Sequence, residues 1–330
     1  MKNYEEVVGI DVSKKTLDAH CYQGQQHKVF VNDIKGYRRL LKWVFKTTKG
    51  RKVFYVFENT GYYSLKLALY LYSQNVVYVE ESPLKIKRSS GIIKEKTDRI
   101  DASIIARYGW LYREELEPSK VKSRSHLELG RLLALRDQLA RNNAGLKGTL
   151  KELKVLLTNS STDAGCLSLK RSIDYLEKQV SYIETRIKEI LSEDAQMLKN
   201  YELLTSLKGV GLVVACQLIY HTANFTRFES WRAFSSYCGT APFKHESGSS
   251  IRRRKKCHYL GDRKMKSLLS MASVSAIQHD SELRLYYKRK LAEGKEKMVA
   301  VNNVRNKLIA RAFAVVKRGT PYVVLQQYAA

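Results

Sequence analysis

The sequence predicts an α/β domain over residues 1–120, a helical coiled-coil hairpin over 121–198 and a mainly α domain over 199–330. Short alternating apolar runs separated by helical patterns predict the first. Two long stretches with apolar positions at 3/4 spacing predict the second. The third rests on successive amphipathic segments broken by one stretch rich in glycine, serine and arginine.

Val7-Val8-Gly9-Ile10-Asp11-Val12-Ser13 reads as a strand that ends on a carboxylate and a hydroxyl. Thr16 to Tyr22 and Gln26 to Asn32 alternate like the next two strands of an antiparallel meander. Between Gly36 and Thr47, Leu40, Leu41, Val44 and Phe45 fall at helical spacing. Another apolar strand, Val53 to Phe57, ends on Glu58 and runs into Asn59-Thr60-Gly61. A helix over Tyr63 to Ser73 and a strand over Val76 to Glu80 follow. Three strands, helix, strand, helix, strand is the order of a ribonuclease H-like sheet, in which the first and fourth strands end side by side. Asp11 and Glu58 would then meet. Lys96-Thr97-Asp98-Arg99-Ile100-Asp101-Ala102, backed by Ile104-Ile105-Ala106, reads as a helix start with Asp98 and Asp101 on one face.

In the middle segment Leu132, Leu135, Leu139, Asn142, Leu146, Thr149, Leu153 and Leu156 form one stripe. After a polar break from Thr158 to Gly165, Ile173, Leu176, Val180, Ile183, Ile187 and Ile190 form a second. Two such helices suit an antiparallel pair, within or between chains, with Asn142 fixing its register. The last segment opens on Leu203 to Gly211 and Val213-Val214-Ala215, a helix-hairpin-helix pattern. Its Gly209-Val210-Gly211 turn offers backbone N–H groups to a DNA phosphate. Phe225, Phe228, Trp231 and Phe234 suit a core better than a base-stacking platform. Helices are expected over Lys264 to Gln278, Ser281 to Ala292 and Lys295 to Val316, with Lys307 and Arg311 on a basic face.

Lys and Arg number 59 against 32 acidic residues, a formal charge of +27. That excess points to a polyanionic partner, nucleic acid before an anionic membrane. No apolar run approaches the ~20 residues of a membrane span, and the N-terminus lacks a signal sequence. Five scattered cysteines without a CxxC pair suit a reducing cytoplasm and argue against disulfides or structural zinc.

Four carboxylates in one cleft cannot all stay ionised without a cation. Two divalent ions ~4 Å apart would neutralise Asp11, Glu58, Asp98 and Asp101 and activate phosphodiester chemistry. An oxygen-only donor set favours Mg²⁺ or Mn²⁺. Taken alone, Asp98 and Asp101 also suit a solvated helix start, and Asp18, inside the second strand, is a decoy. The basic run Lys85, Lys87, Arg88, Lys94 and Lys96 suits either a solvated loop or phosphate contacts.

Gly239 to Ser250 leads straight into Arg252-Arg253-Arg254-Lys255-Lys256, and Gly261-Asp262-Arg263 follows. A hydroxyl on a glycine-flanked turn ahead of guanidinium groups suits nucleophilic attack on a phosphodiester. Composition alone predicts a disordered basic loop that holds DNA. Ser247, Ser249 and Ser250 all stand close enough to serve.

Gly9 to Ser13, Glu58 to Gly61 and Lys96 to Ala102 together resemble the DEDD-type insertion-sequence transposases, the bridge-RNA-guided recombinases, with their pilin-gene-inverting relatives. The likeness continues through Ala241-Pro242, Ser247-Gly248, Gly261-Asp262-Arg263, Met271-Ala272-Ser273 and Asn302 to Leu308. It implies a RuvC-like domain with Asp11, Glu58, Asp98 and Asp101 as metal ligands and Ser247 as nucleophile. It further implies double-stranded donor and target DNA, a structured guide RNA, and a homo-oligomer (dimer, then tetramer on DNA) in a prokaryotic cytoplasm beside the nucleoid. Two other functions compete. One is a metal-dependent junction-resolving nuclease in which Ser247 is incidental; the other is a non-catalytic nucleic-acid-binding protein.

Overall fold

The structure, a computed structural model, describes residues 1, 3–91, 97–119, 123–157, 159–247, 251–257 and 260–323; over 244–247 and 251–256 it describes the backbone. The chain divides into two compact units, residues 1–121 and 122–330. The first is a mixed α/β unit and the second is mainly helical.

In the first unit β1 (Glu6–Val12), β2 (Thr16–Cys21) and β3 (Gln26–Val31) form the meander, followed by α1 (Ile34–Thr48), β4 (Val53–Glu58), α2 (Tyr62–Ser73) and β5 (Tyr78–Glu81). The sheet order is β3-β2-β1-β4-β5, with β2 antiparallel and β4 parallel to β1. This agrees with the ribonuclease H-like order expected from the sequence. A short helix, α3 (Pro83–Ser89), and a longer one, α4 (Asp98–Leu111), complete the unit. The basic residues Lys85, Lys87 and Arg88 therefore lie on a helix rather than a loop.

Strict alternation in the strands gives the sheet two apolar faces. Ile10, Leu17, Phe30, Tyr55 and Phe57 pack beneath α1 and α2 residues such as Leu40, Val44 and Leu67. On the other face Val7, Phe54, Val56 and Val79 pack with Ile105 and Tyr108 of α4. Two glycines let α4 lie this close. A Cβ at Gly9 would collide with the backbone of Ala102 and Ala106, and one at Gly109 would lie 2.7 Å from the Val7 and Val56 methyls. These contacts also fix the direction of α4, whose first turn falls toward the Asp11 end of β1. Gly9→Ala is accordingly expected to destabilise the protein by about 3 kcal/mol, because backbone rather than a flexible side chain must yield. Thermal unfolding at an unchanged temperature would show that α4 does not rest on β1.

The second unit begins with α5 (Arg124–Leu156) and α6 (Ala164–Glu193), a packed antiparallel pair. Ion pairs Arg186–Glu128 at 3.3 Å, Arg136–Glu184 at 2.8 Å and Lys147–Glu177 at 2.6 Å run along its length. The seam differs from the expected stripe. Asn142, Leu135 and Leu156 are exposed, whereas Leu133, Asn143, Leu146, Leu150 and Leu153 turn inward to varying degrees. Asn143 rather than Asn142 is the seam asparagine.

Helices α7 (Ala195–Thr205), α8 (Leu212–His221) and α9 (Trp231–Tyr237) follow, then a hairpin of β6 (Pro242–Ser247) and β7 (Ile251–Cys257). The arginine-rich run, for which composition predicts a loop, is a strand. Helices α10 (Arg263–His279), α11 (Ser281–Ala292) and α12 (Lys297–Arg318) close the unit around Met265, Leu269, Val304, Leu308 and Ile309. Phe234 is buried, with Phe225, Phe228 and Trp231 packed partly against the same core. Arg311 contributes no free basic face: it pairs with Asp280 at 2.7 Å and Glu282 at 2.6 Å. Among the described residues no helix is long and apolar enough to cross a membrane.

Candidate active site

The site is built at the C-terminal end of β1. Parallel pairing sets Ile10 opposite Phe57, so one residue further along Asp11 and Glu58 stand side by side on neighbouring strands. Asp98 and Asp101 enter from above in the first turn of α4, where the helix N-terminus favours negative charge. Thr97 caps that turn by accepting from the Ile100 N–H at 3.3 Å.

Electrostatics bring the four acids together. The Asp11 carboxyl is pushed up from 3.8 to about 6, first by burial and then by the charges of Asp101, Asp98, Glu58 and Asp18. Among the described residues, no group of three or more acids, histidines or cysteines is closed tightly enough to hold a metal ion as it stands. The carboxylates are thus near enough for their charges to act on Asp11 without forming a closed cage. The donor set fits a hard divalent cation, because oxygen ligands from four carboxylates would offset their own repulsion on closing around it.

Asp18 is more than a neighbour in sequence. It lies directly across the ladder from Asp11 and bonds the His27 imidazole at 3.0 Å. His20, two residues along the same strand face, is buried, and its Nδ1 has no hydrogen-bond partner. Burial, followed by the charges of His27 and Arg99, pulls its pKa down. The clue lay in the alternation of Asp18 and His20, which antiparallel pairing with β1 turns to the Asp11 face.

Of the basic residues expected to hold nucleic acid, Lys87 and Arg88 are exposed on α3, while Lys85 pairs with Glu81 at 3.1 Å. Lys94 and Lys96 lie outside the described residues. In the second unit Gly209 has φ +88°, and a Cβ there would press on the backbone of Ala272 and Ala276 in α10. This glycine is required by packing as much as by any ligand. Gly211 caps the start of α8 with open space beside it.

Ser247 ends β6 at the tip of the hairpin, opposite Ile251. Glu246 pairs in register with Arg252, His245 with Arg253 and Phe243 with Lys256, while Arg254 and Lys255 occupy the same strand. Gly248, Ser249 and Ser250 lie outside the described residues. Arg263 is exposed in the first turn of α10, beside the root of the hairpin.

Comparison with known proteins supplies the family. A family model of DEDD-type IS110 transposases, described as "Transposase", matches residues 8–158. A second, described as "Transposase IS116/IS110/IS902 family", matches residues 201–288. The chain is 25% identical to the pilin gene-inverting protein of Moraxella bovis, over 96% of this chain and 97% of that protein. The same figures hold for the pilin gene-inverting protein of Moraxella lacunata. It is 29% identical to the insertion element IS110 uncharacterized 43.6 kDa protein of Streptomyces coelicolor, over 52% of this chain and 42% of that one. The first model spans the sheet with its four acids and the second spans the hairpin with its serine. The chain therefore belongs to the IS110-type transposases and is an enzyme of DNA transposition and recombination.

Proposed function

We propose that the chain cuts and rejoins DNA through a covalent link between Ser247 and a DNA phosphate, assisted by divalent metal at Asp11, Glu58, Asp98 and Asp101. The observation that carries this reading is the raised pKa of Asp11 beside three further carboxylates at the end of β1. In a ribonuclease H-like, RuvC-like sheet this is where phosphodiester chemistry is expected. Bound there, Mg²⁺ or Mn²⁺ would polarise the scissile phosphate as a Lewis acid.

The chain's own residues do the rest. The Ser247 Oγ attacks phosphorus and forms an O–P bond while the bond to one deoxyribose oxygen breaks. The serine proton is released, and that oxygen leaves as a hydroxyl. His245 and Glu246 are proton carriers of the right chemical type, although a surface role suits them better. The Arg252 to Lys256 strand neutralises charge on the non-bridging oxygens. Attack of a new hydroxyl on the serine–phosphate link reverses these bond changes and frees the serine, so strands are rejoined without ATP.

Acids and serine belong to different units, so both must act on one phosphodiester. A homo-oligomer, paired through a coiled coil of α5 and α6, satisfies that need. A charge of +27 with no sequence-reading motif suits a structured guide RNA that selects donor and target DNA.

The test is direct. Labelled DNA incubated with the protein and Mg²⁺ should give a protease-sensitive, alkali-labile protein–DNA adduct. Clean cutting with no adduct at any time point would favour the metal-only nuclease. Activity indifferent to chelation and to the acids would favour a binding protein.

A further inference from the structure

The strongest unassigned feature lies at the root of the β6–β7 hairpin. An open cavity of about 990 Å³ is lined by Pro242 and Cys257, one from each foot of the hairpin, and by Arg263, Lys266, Lys295 and Arg305. Arg305 is unusual among them. It is 5% exposed, and its Nε is buried without a hydrogen-bond partner. Its Nη1 donates to Asn302 Oδ1 at 3.2 Å, a neutral acceptor. Burial pulls its pKa down, opposed by the neighbouring Cys257 thiol and, among the described residues, by no carboxylate. A buried cation with neither counter-ion nor full hydrogen bonding is destabilising unless a ligand completes it. Among the described residues lining the cavity, the exposed Glu296 is the one acid against four cations.

We infer that this cavity seats a phosphate of the DNA strand presented to Ser247, with Arg305 as the buried fork that receives it. A guanidinium matches phosphate oxygens in a bidentate fashion, and Arg263, Lys266 and Lys295 add charge around it. The seat is wired to the hairpin. Asn302, held by Arg305, donates through Nδ2 to the Thr240 carbonyl at 2.9 Å and to the Cys257 Sγ at 3.8 Å. Asn306 exchanges two bonds with Thr240, each 3.0 Å long. Phosphate on Arg305 thus fixes the asparagine that holds both feet of the strand pair carrying Ser247. Arg305 is a positioning residue in this scheme. The choice of DNA rests on the serine reading above; the anion seat itself does not.

The experiment uses the full chain in EDTA, so no strand is broken. Unfolding temperatures are compared in chloride and in inorganic phosphate at equal ionic strength for wild type, Arg305→Met and Lys266→Gln. Wild type should be stabilised by phosphate. Arg305→Met should match or exceed wild type in chloride and gain nothing from phosphate, while Lys266→Gln should lose part of the gain. Single-stranded DNA should bind Arg305→Met about tenfold more weakly, the loss expected for one charge-assisted contact. A collapse of Arg305→Met in chloride, with Lys266→Gln keeping the full phosphate gain, would make Arg305 a structural cation and refute the seat. Weaker binding of RNA of the same sequence, with DNA binding unchanged, would overturn the assignment to DNA. With Mg²⁺ restored, adduct formation by Arg305→Met at the wild-type rate refutes the seat alone. No adduct in any variant, with phosphate stabilisation intact, refutes the serine reading alone.

Discussion

Asp11→Asn is expected to make the metal-free protein more stable and, at the same time, to abolish its activity. The reason is that burial, and then repulsion from the neighbouring carboxylates, raises the Asp11 carboxyl from 3.8 to about 6. Between those two pH values the folded chain retains a proton that the unfolded chain has released. Stability therefore falls as pH rises through this window and stays lower above it. Asparagine escapes the penalty. After allowance for solvent screening of a half-exposed carboxyl, the gain at neutral pH is on the order of 1 kcal/mol. In EDTA the variant should thus unfold at a higher temperature than wild type at pH 7.5, with the gap closing near pH 4. Saturating Mg²⁺ should reverse the order, since binding at about 100 times Kd adds about 2.7 kcal/mol to the state that binds. DNA cutting by the variant should fall about a thousandfold. A variant less stable than wild type in EDTA would mean that the carboxylate has a structural partner, not a set of rivals.

Ser247→Ala carries the second large effect: complete loss of the protein–DNA adduct and of strand exchange, with DNA binding unchanged within about twofold. Alanine would remove the proposed attacking oxygen and leave the basic strand β7 unchanged. The family resemblance is what favours Ser247, the serine directly before Gly248, over its neighbours. It is the last residue of β6, held in register opposite Ile251, so the ladder fixes the backbone of the proposed nucleophile. Ser249→Ala and Ser250→Ala should still form the adduct. Adduct at the wild-type rate in Ser247→Ala, or its loss in Ser249→Ala alone, would move or remove the nucleophile. The carbon skeleton is barely altered, so the comparison reads chemistry and not folding.

The N-terminal sheet was legible because its strands are short, apolar and bounded by turns. Asp11 and Glu58 could be paired from strand order alone, and the ladder puts them on adjacent strand ends. The seating of α4 was not legible. It depends on Gly9 and Gly109 allowing backbone and side chains to touch, a tertiary fact with no local signature. The seam of α5 was misplaced by one residue at Asn142 and Thr149, because 3/4 spacing admits neighbouring stripes and Asn142-Asn143 offers either asparagine. The β6–β7 strands were hidden by charge: Arg252 to Lys256 masks the alternation that marks a strand. Arg311 looked like a free base because the acids that neutralise it, Asp280 and Glu282, lie at the cap and first turn of another helix, α11. Arg305 went unnoticed for the opposite reason, since only burial shows that its Nε lacks a hydrogen-bond partner and that it has no carboxylate beside it.

All of this depends on carboxylates from β1, β4 and α4 closing around one cation site. Titration of the full chain with Mn²⁺, followed by its electron paramagnetic resonance signal, reads that site without any DNA. Wild type should bind Mn²⁺ saturably, and Asp11→Asn, Glu58→Gln and Asp98→Asn should each weaken the same binding by tenfold or more. Equal binding by wild type and all three variants would place the metal elsewhere and contradict the account.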